Sequence, residues 1–441
     1  MKRVLIVSPH FPPINAPDMQ RVRMSLPYYR QFGWESVVLA VADRRQTGVR
    51  EPELLSTLPP DVRVERAGAV PSRLAGFFGI SNIGIRAWPF LMWRGARLLR
   101  REKFDLVFFS NTQFKTFILG PLWRSWFGVP YVLDVQDPWR TDYYERPGSR
   151  EPPGGWKYQF ARLTAWMFEG WVFGRAAAVI SVSPNYLEDL NARYPRMRSK
   201  PTLVLRFGGS TSDLEEARKL PAPSYAYDRS RPFIHFLYTG AAGPIMPHAL
   251  TVLFMALRFY KEIFPEKAAR LRFHFIGTSY VAPGYGKPSV MPVAARFGVE
   301  DQVAEIPHRV GHLESIRLQE DADVLLLPGS SDLAYSPSKI YFYYLTGKPI
   351  LGLVFRDSVM ERLLDELSCA YLVRFAEREY KKHEAYQRLH HFFDLALAGF
   401  PAGSLPERDD ARFAAHCLAS ELTRQQCALF DLAVAKKERA P

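Results

Sequence analysis

The sequence predicts an α/β protein built from two Rossmann-like, doubly wound parallel-sheet domains that face each other across a cleft. Short apolar runs, typical of buried parallel strands, alternate along the chain with segments of helical length. The alternation fails once, in a polar, proline-rich stretch at 207–232, and then resumes. A length of 441 residues also exceeds one ordinary core and suits two domains.

The N-terminal domain is predicted over residues 1–206. Its first apolar run ends in a proline-rich loop, and a helical pattern starts near Asp18, as expected for a buried strand followed by its crossover helix. The same pattern recurs along this half. The predicted strands are Lys2–Ser8, Ser36–Val41, Leu106–Ser110, Tyr131–Asp134 and Ala178–Val182.

Residues 207–232 are predicted as the linker, since the hydrophobic periodicity is lost there. A second domain follows over 233–409, and the tail at 410–441 has the pattern of one or two amphipathic helices. The predicted strands of the second domain are Ile234–Thr239, Arg272–Ile276, Val303–Ile306, Val324–Pro328 and Ile350–Leu353.

The composition of the chain indicates which partners and which compartment to expect. Lys plus Arg number 58 and Asp plus Glu 45, an excess of 13 positive charges that favours anionic partners. The three cysteines, Cys369, Cys417 and Cys427, lack the spacing of metal ligands and indicate free thiols in a reducing compartment. No apolar run reaches the length of about 18 residues that a membrane span needs. We therefore expect a cytoplasmic protein, or one bound peripherally to the inner face of the plasma membrane.

The loop Ser8–Arg21 directly follows the first predicted strand. Open parallel sheets bind ligands at the carboxyl ends of their strands, so His10 is predicted to face the cleft. A histidine there could contact a bound sugar, and Arg21 could pair with a phosphate or a carboxylate. Alternatively, the loop only turns the chain and Arg21 is a surface charge.

The segment Val129–Trp139 places two carboxylates after another predicted strand. Asp134 and Asp137 could orient sugar hydroxyls, and the ring of Trp139 could stack on a sugar face. Asp137 could equally cap the helix that follows. We favour a functional role for at least one of the two carboxylates.

The segment Ala334–Ile350 predicts an anion site at a helix start. Ser336 suits an N-cap, and the proline after it suits the first helical position. Lys339 then lies in the first turn, where the helix dipole disfavours a cation unless an anion binds. The amides of Ser338 and Lys339, with the ammonium group, could hold a phosphate. In the alternative, the lysine points into water.

Two turns after predicted strands complete the candidate nucleotide site. The turn Tyr238–Pro244 contains Gly240 and Ala241, two small residues that would let the backbone approach a diphosphate. Arg309 and Val310 lie in the turn after Ile306 and are predicted to hold the nucleotide base. Neither turn contains a complete phosphate-binding motif.

A metal site is not predicted. Asp321-Ala322-Asp323 matches a D-x-D string that binds metal in some enzymes when it follows a strand, but here the string precedes its strand. We therefore interpret it as structural.

The basic, aromatic segment Arg86–Lys103 predicts a helix with Arg94, Arg97 and Arg101 on one face. Such a helix could rest on anionic lipid headgroups. It could equally be an ordinary crossover helix packed on its own sheet.

Taken together, these motifs identify a resemblance. The chain resembles the family 4 glycosyltransferases of GT-B fold, in particular the bacterial surface-polysaccharide type, over nearly its whole length. The resemblance rests on the order and spacing of FPP with QRVRMSLPYYRQFGWESVVL, FDLVFFSNT, VPYVLDVQDPW, AAAVISVSP, FLYTGAAGP, HFIG, GHLESIRLQEDADVLLLP and SPSKIYFYYLTGKPIL.

The resemblance implies an enzyme whose N-terminal domain holds the acceptor and whose C-terminal domain holds a nucleotide-sugar donor. It implies transfer with retention of anomeric configuration, without a metal ion or other cofactor, the leaving-group charge being offset by preorganised cations and dipoles. The expected acceptor is a glycan or a lipid-linked glycan, and no nucleic acid is involved. The residues expected to take part are His10, Asp134, Asp137 and Lys339 in catalysis, and Arg21, Trp139, Gly240, Ala241, Arg309, Val310, Ser336 and Ser338 in binding.

Two departures from the family pattern keep other functions open. The glutamates expected at Ala334 and Phe342 are absent, and the second of them normally holds the donor's ribose. A degenerate GT-B protein that binds a partner without turnover is one alternative. A nucleotide-sugar epimerase of the same fold is another.

Overall fold

The computed structural model describes residues 1–77, 79–140, 155–221, 223, 225–242, 246–279, 284–333, 335–376 and 383–438. The chain divides into two compact units. Unit 1 contains Met1–Gly208 and His416–Pro441, and unit 2 contains Gly209–Ala415.

Unit 1 is built on a seven-stranded parallel sheet in the order β5-β3-β1-β6-β7-β8-β9. Two further short strands, β2 and β4, pair antiparallel outside it. The strands are β1 (Lys2–Val7), β2 (Ile14–Asn15), β3 (Trp34–Val41), β4 (Val49–Arg50), β5 (Arg63–Ala67), β6 (Leu106–Ser110), β7 (Tyr131–Val135), β8 (Ala178–Ser181) and β9 (Thr202–Val204).

Helices cover both faces of this sheet, because alternate residues of its strands enter different apolar clusters. Leu5 of β1 lies in one buried cluster, whereas Val4 and Ile6 lie in the other. The second cluster includes Phe430 of the C-terminal helix, so the tail completes unit 1. The helices are α1 (Gln20–Ser25), α2 (Ser72–Phe77), α3 (Ile83–Arg101), α4 (Leu119–Phe127), α5 (Trp156–Arg175), α6 (Pro184–Arg193) and α16 (Ala419–Glu438).

Unit 2 has a six-stranded parallel sheet in the order β12-β11-β10-β13-β14-β15. The strands are β10 (Ile234–Thr239), β11 (Leu271–Ile276), β12 (Val303–Ile306), β13 (Val324–Pro328), β14 (Ile350–Phe355) and β15 (Tyr371–Phe375). The helices are α7 (Thr211–Lys219), α8 (Pro247–Ile263), α9 (Pro265–Ala268), α10 (Met291–Arg296), α11 (His312–Asp321), α12 (Ile340–Leu345), α13 (Val359–Leu367), α14 (His383–Leu397) and α15 (Asp410–Cys417), in which the boundary between the units falls.

The predicted fold class, with two doubly wound parallel sheets, is confirmed in each unit. Every strand predicted from an apolar run is present. The sequence missed the short strands β2 and β4 and the edge strands β5, β9 and β15. Of these edge strands, β5 has one buried residue, β9 has none and β15 has three. An edge strand needs less apolar sequence because only part of it is enclosed.

The segment 207–232, predicted as a linker, contains α7. The Ser210 side chain accepts a hydrogen bond from the Asp213 amide at 3.3 Å and caps this helix. Leu214 and Ala217 are buried on its inner face, and α7 packs against α11 within unit 2. The sequence of α7 does not show a helical hydrophobic pattern, because only a narrow stripe of its surface is apolar.

Across the described ranges, we find no helix with both the length and the apolar character that crossing a bilayer requires.

Candidate functional site

His10 and Asp18 form a pair near the carboxyl end of β1. The Nδ1 atom of His10 lies 2.9 Å from Oδ1 of Asp18, which is buried and also accepts bonds from the amide and hydroxyl of Thr112. Burial opposes ionisation of Asp18, but the hydrogen bond and charge of His10, with the Thr112 bonds, hold its pKa below the usual value. An ionised Asp18 favours a proton on Nδ1 and leaves Nε2 able to accept a hydrogen bond.

Asp137 follows β7 and has an accessible side chain. Desolvation by the surrounding protein, together with the negative charge of Asp18, raises the pKa of Asp137 to about 6. A carboxyl group that titrates near neutral pH can give or take a proton in acid–base chemistry. The structure thus groups Asp137 electrostatically with the His10–Asp18 pair.

Asp134 and Arg21 lie in the interior of unit 1. Oδ2 of Asp134 accepts hydrogen bonds from Nε of Arg21 at 2.8 Å and from the Ser110 hydroxyl at 2.7 Å. Arg21 also donates to the carbonyls of Leu205 and Arg206, at 2.8 and 3.2 Å. The expected contact of Arg21 and Asp134 with substrate is not favoured by these positions, since both groups are buried and paired with each other.

Trp139 is half-buried and packs into an aromatic group. Its ring stacks on Phe114, with centroids 5.9 Å apart and planes 10° apart, and meets Phe117 edge-on at 6.2 Å. One face of the indole is therefore covered by protein, and stacking on a sugar would have to use the other face.

In unit 2, Lys339 lies directly over Gly240 at the carboxyl end of β10. A Cβ atom added at Gly240 would overlap Cε and Nζ of Lys339, and Gly240 has a φ of +125°. Only glycine meets both conditions without strain. The Nζ atom also lies 5.4 Å from the centroid of the Tyr238 ring. Gly240 and Lys339, each predicted from its own segment to lie at a diphosphate, are therefore in contact in the fold.

The turns after β11 and β12 approach the same point. A Cβ placed on Gly277 would lie 3.7 Å from Val310 and 3.8 Å from the backbone nitrogen of Gly240. Desolvation and the nearby charge of Arg309 lower the pKa of Lys339 to about 8. Two cations held close together favour an anion between or beside them.

The helix start itself differs from the expectation. The short helix α12 begins at Ile340, with Lys339 at the N-cap position and no side-chain cap, so Ser336 is not the cap. Ser336 is half-buried and Ser338 is exposed in the turn before the helix. The cluster of Gly240, Lys339 and Arg309, which we call the cationic turn site, therefore depends on side-chain charge instead of an N-terminal helix dipole.

Phe342 occupies the position of the second family glutamate and is buried in unit 2. Its ring meets the His312 ring edge-on at 5.0 Å, and Nε2 of His312 lies 2.8 Å from Oδ2 of Asp213. Ala334, the position of the first glutamate, lies outside the described residues.

The D-x-D string has structural partners, as expected. Asp323 accepts a hydrogen bond from the His235 amide at 2.8 Å and pairs with Arg229 at 2.9 Å. Among the described residues, no three His, Cys, Asp or Glu side chains lie together in a group that could hold a metal ion.

Sequence reasoning missed Asp18, although it lies only eight residues after His10. A hydrophilic residue in a proline-rich loop gives no signal of burial, and the loop path that brings it back to His10 is tertiary. Tyr343 was also missed: it is buried near the cationic turn site, where its hydroxyl accepts a bond from the Thr239 amide, and desolvation raises its pKa to about 12. Tyr343 was not singled out because the sequence YFYYL around it is typical of an ordinary core helix.

Comparison with known proteins matches residues 20–208 to the model of the glycosyl transferase 4-like domain. A comparison with curated protein sequences gave no match. Residues 20–208 are therefore similar to this domain, in agreement with the resemblance seen in the sequence.

Solved structures share the fold over nearly the whole chain. A trehalose-phosphate synthase from Burkholderia xenovorans has a TM-score of 0.59 at 11% identity, covering 97% of this chain and 99% of its own. The synthase from Burkholderia multivorans has a TM-score of 0.58 at 12% identity, covering 100% and 99%. HepE of Anabaena, solved with UDP-glucose, has a TM-score of 0.51 at 13% identity, covering 99% of both chains.

Proposed function

Because the chain carries a glycosyl transferase 4-like domain within a GT-B fold, we propose that it moves a sugar from a nucleotide diphosphate donor to a glycan or lipid-linked acceptor. The observation that carries the proposal is the cationic turn site in unit 2. There a lysine of lowered pKa lies on a glycine turn beside a second cation. Such a site suits a diphosphate better than a neutral ligand.

On the donor side, Lys339 and Arg309 would offset the charge of the diphosphate as it leaves. Gly240 and Ala241 would allow the backbone to approach the phosphates, and Val310 would contact the base. Ser336 and Ser338 precede Lys339 in the same turn and would add hydroxyl contacts. Charge stabilisation of this kind acts in the transition state, where negative charge on the leaving group grows.

On the acceptor side, His10 and Asp137 would contact the acceptor sugar. Nε2 of His10, oriented by Asp18, would accept a hydrogen bond from a sugar hydroxyl. The Asp137 carboxylate, ionised above its pKa of about 6, would accept a hydrogen bond from the acceptor hydroxyl and orient it. We propose a retaining reaction. The bond from the anomeric carbon to the phosphate oxygen breaks, the acceptor oxygen bonds on the same face, and the acceptor proton passes to the departing phosphate.

Calorimetric titration with uridine, guanosine and adenosine diphosphates, each beside its monophosphate, tests this function. We expect one diphosphate to bind about tenfold or more tighter than its monophosphate, since it adds a charge-assisted contact. Product analysis with the matching nucleotide sugar should then show free nucleoside diphosphate. A sugar that is epimerised but still attached would indicate an epimerase, and binding without turnover would indicate a non-catalytic GT-B protein.

Transfer is expected to require no divalent metal, because the D-x-D carboxylate Asp323 is already engaged by Arg229 and the His235 amide. Activity measured in excess chelator should equal that in magnesium or manganese. Full loss in chelator, restored by either metal, would contradict the prediction.

We further propose that the protein works in the cytoplasm, peripherally at the inner face of the plasma membrane. Residues 86–103, which are predicted from the sequence to contact the lipid, include most of α3. Within α3, Arg86 is buried and donates to the Val70 carbonyl, and Arg94 pairs with Glu65. Arg100 and Arg101 remain exposed. The exposed C-terminal end of α3 is thus the part that suits anionic lipid.

A further inference from the structure

The outer side of α5 in unit 1 is unusually apolar. Leu163 is 53% exposed, Trp166 65% and Met167 54%, with Phe160 and Trp171 exposed on the same helix. The inner side is formed by Ala165, Glu169, Val172 and Phe173, all buried. Several large apolar side chains exposed on one helix mark an interaction surface.

The residue composition of α5 and the neighbouring helices indicates the chemistry of the partner. Helices α3, α4 and α5 contain seven of the nine tryptophans of the chain, and they carry nine basic residues against a single acidic one. That acidic residue, Glu169, is buried and bonded to Arg193 at 2.6 Å. The outward charge of these helices is therefore entirely positive in the described residues.

Helix α4 extends the surface of α5. Arg124 of α4 donates to the Arg175 carbonyl at the end of α5, and Arg175 donates to the Ser125 hydroxyl at 3.0 Å. Trp126, also on α4, is exposed beside them. These bonds join α4 to the C-terminal end of α5, so Trp126 and the two arginines lie at that end of the helix.

We propose that this face, formed by the outer side of α5 with Trp126 and Arg124, inserts into the headgroup region of an anionic lipid bilayer. Tryptophan prefers the membrane–water interface because its ring is apolar and its N–H can bond to headgroups. Arginine attracts anionic lipid and extends its stem along apolar surface. A helix of this kind lies on a membrane instead of crossing it. A positively charged outer surface also suits anionic lipid better than a second copy of itself, which would repel it.

The inference rests on the proposed peripheral location and names the face that inserts, which is α5 and not α3. Insertion of apolar side chains persists when salt screens the charges, whereas binding through the arginines of α3 alone is lost. The two contributions can therefore be separated by ionic strength.

Vesicle sedimentation of the full-length protein tests the proposal, using phosphatidylcholine vesicles with and without phosphatidylglycerol. We expect binding to the anionic vesicles that persists in part at high salt. Leu163→Glu and Trp166→Glu should each weaken the vesicle affinity about tenfold or more, since each puts a charge into the apolar region. Ile263→Glu, at a side chain of unit 2 that is 60% exposed, is the matched control and should leave binding unchanged.

Circular dichroism of each variant must match the wild type, so that a loss of binding is not a loss of fold. If either variant fails to fold, Trp166→Gln replaces it in the same assay. Unchanged vesicle binding in the α5 variants, with loss in an Arg100→Ala/Arg101→Ala variant, would overturn the proposal. So would a wild-type dimer in sedimentation that Trp166→Glu dissociates. Nucleotide titrations contain no vesicles, so failure of the transfer reaction is measured separately.

Discussion

Replacing Arg21 with alanine is expected to lower the free energy of unfolding of unit 1 by about 3–5 kcal/mol, because it leaves the buried Asp134 carboxylate without its counter-ion. The substitution also removes the hydrogen bonds that Arg21 donates to the Leu205 and Arg206 carbonyls. Since whole domains are stable by only about 5–15 kcal/mol, this is a large fraction of the total.

Urea unfolding followed by tryptophan fluorescence reports on unit 1 alone, since all nine tryptophans lie within Met1–Gly208. Arg30→Ala is the matched control. Arg30 pairs with Asp61 at the surface, with side chains 60% and 50% exposed, so its loss should cost less than about 1 kcal/mol. Combining Arg21→Met with Asp134→Asn should recover part of the stability by removing the buried charge. Equal effects of Arg21→Ala and Arg30→Ala would show that the buried pair contributes little.

Lys339→Ala is expected to weaken the affinity for the nucleoside diphosphate about ten- to a hundredfold, the value of a charge-assisted contact of about 1.5–3 kcal/mol. Stability should change little, because burial already disfavours the charge of Lys339 in the empty site. Lys339→Arg should recover only part of the affinity, since a planar guanidinium does not fit where the side chain lies against Gly240.

The same lysine predicts a pH dependence of binding. The pKa of Lys339 is about 8 without ligand, and a bound anion raises it by favouring the charged form. Below pH 8 the ammonium is already present. Above pH 8 binding must take up a proton, so the affinity should fall by up to about tenfold per pH unit.

Calorimetry of the wild type and both Lys339 variants, at several pH values, measures both effects. Lys267→Ala removes a lysine that pairs with Asp394 in the same unit, on α9 before the start of β11, and serves as the control. It should keep the wild-type affinity and pH dependence. A Lys339→Ala variant with unchanged diphosphate affinity would place the anion elsewhere and favour a non-catalytic protein.

Local sequence predicted the strands well because a buried parallel strand must be continuously apolar, and each such run is visible without knowledge of its neighbours. The strands Ile234–Thr239 and Val324–Pro328, for example, begin and end at the predicted residues. Edge strands such as β5, with the sequence RVERA, lack that signal.

The candidate site was predicted in part. Gly240, Lys339 and Arg309 were each recognised from their own turns, and the fold brings them together because the carboxyl ends of neighbouring parallel strands meet at one edge of the sheet. The helix start was misplaced, since a serine followed by proline favours a cap locally without ensuring that the chain turns there.

Only the tertiary structure shows which charged side chains are paired in the interior and which are available to a ligand. Arg21 and Asp134 are 113 residues apart, and nothing in either local sequence indicates that they pair in the interior. The local sequence of Asp18 shows only a polar residue. The path of the chain in the fold buries its side chain and brings it to His10. The sequence alone thus determined where the buried strands lie, because a strand enclosed on both faces must be apolar wherever it sits in the fold. Only the three-dimensional packing decided which polar groups satisfy one another, because hydrogen bonds and ion pairs join residues that are distant along the chain.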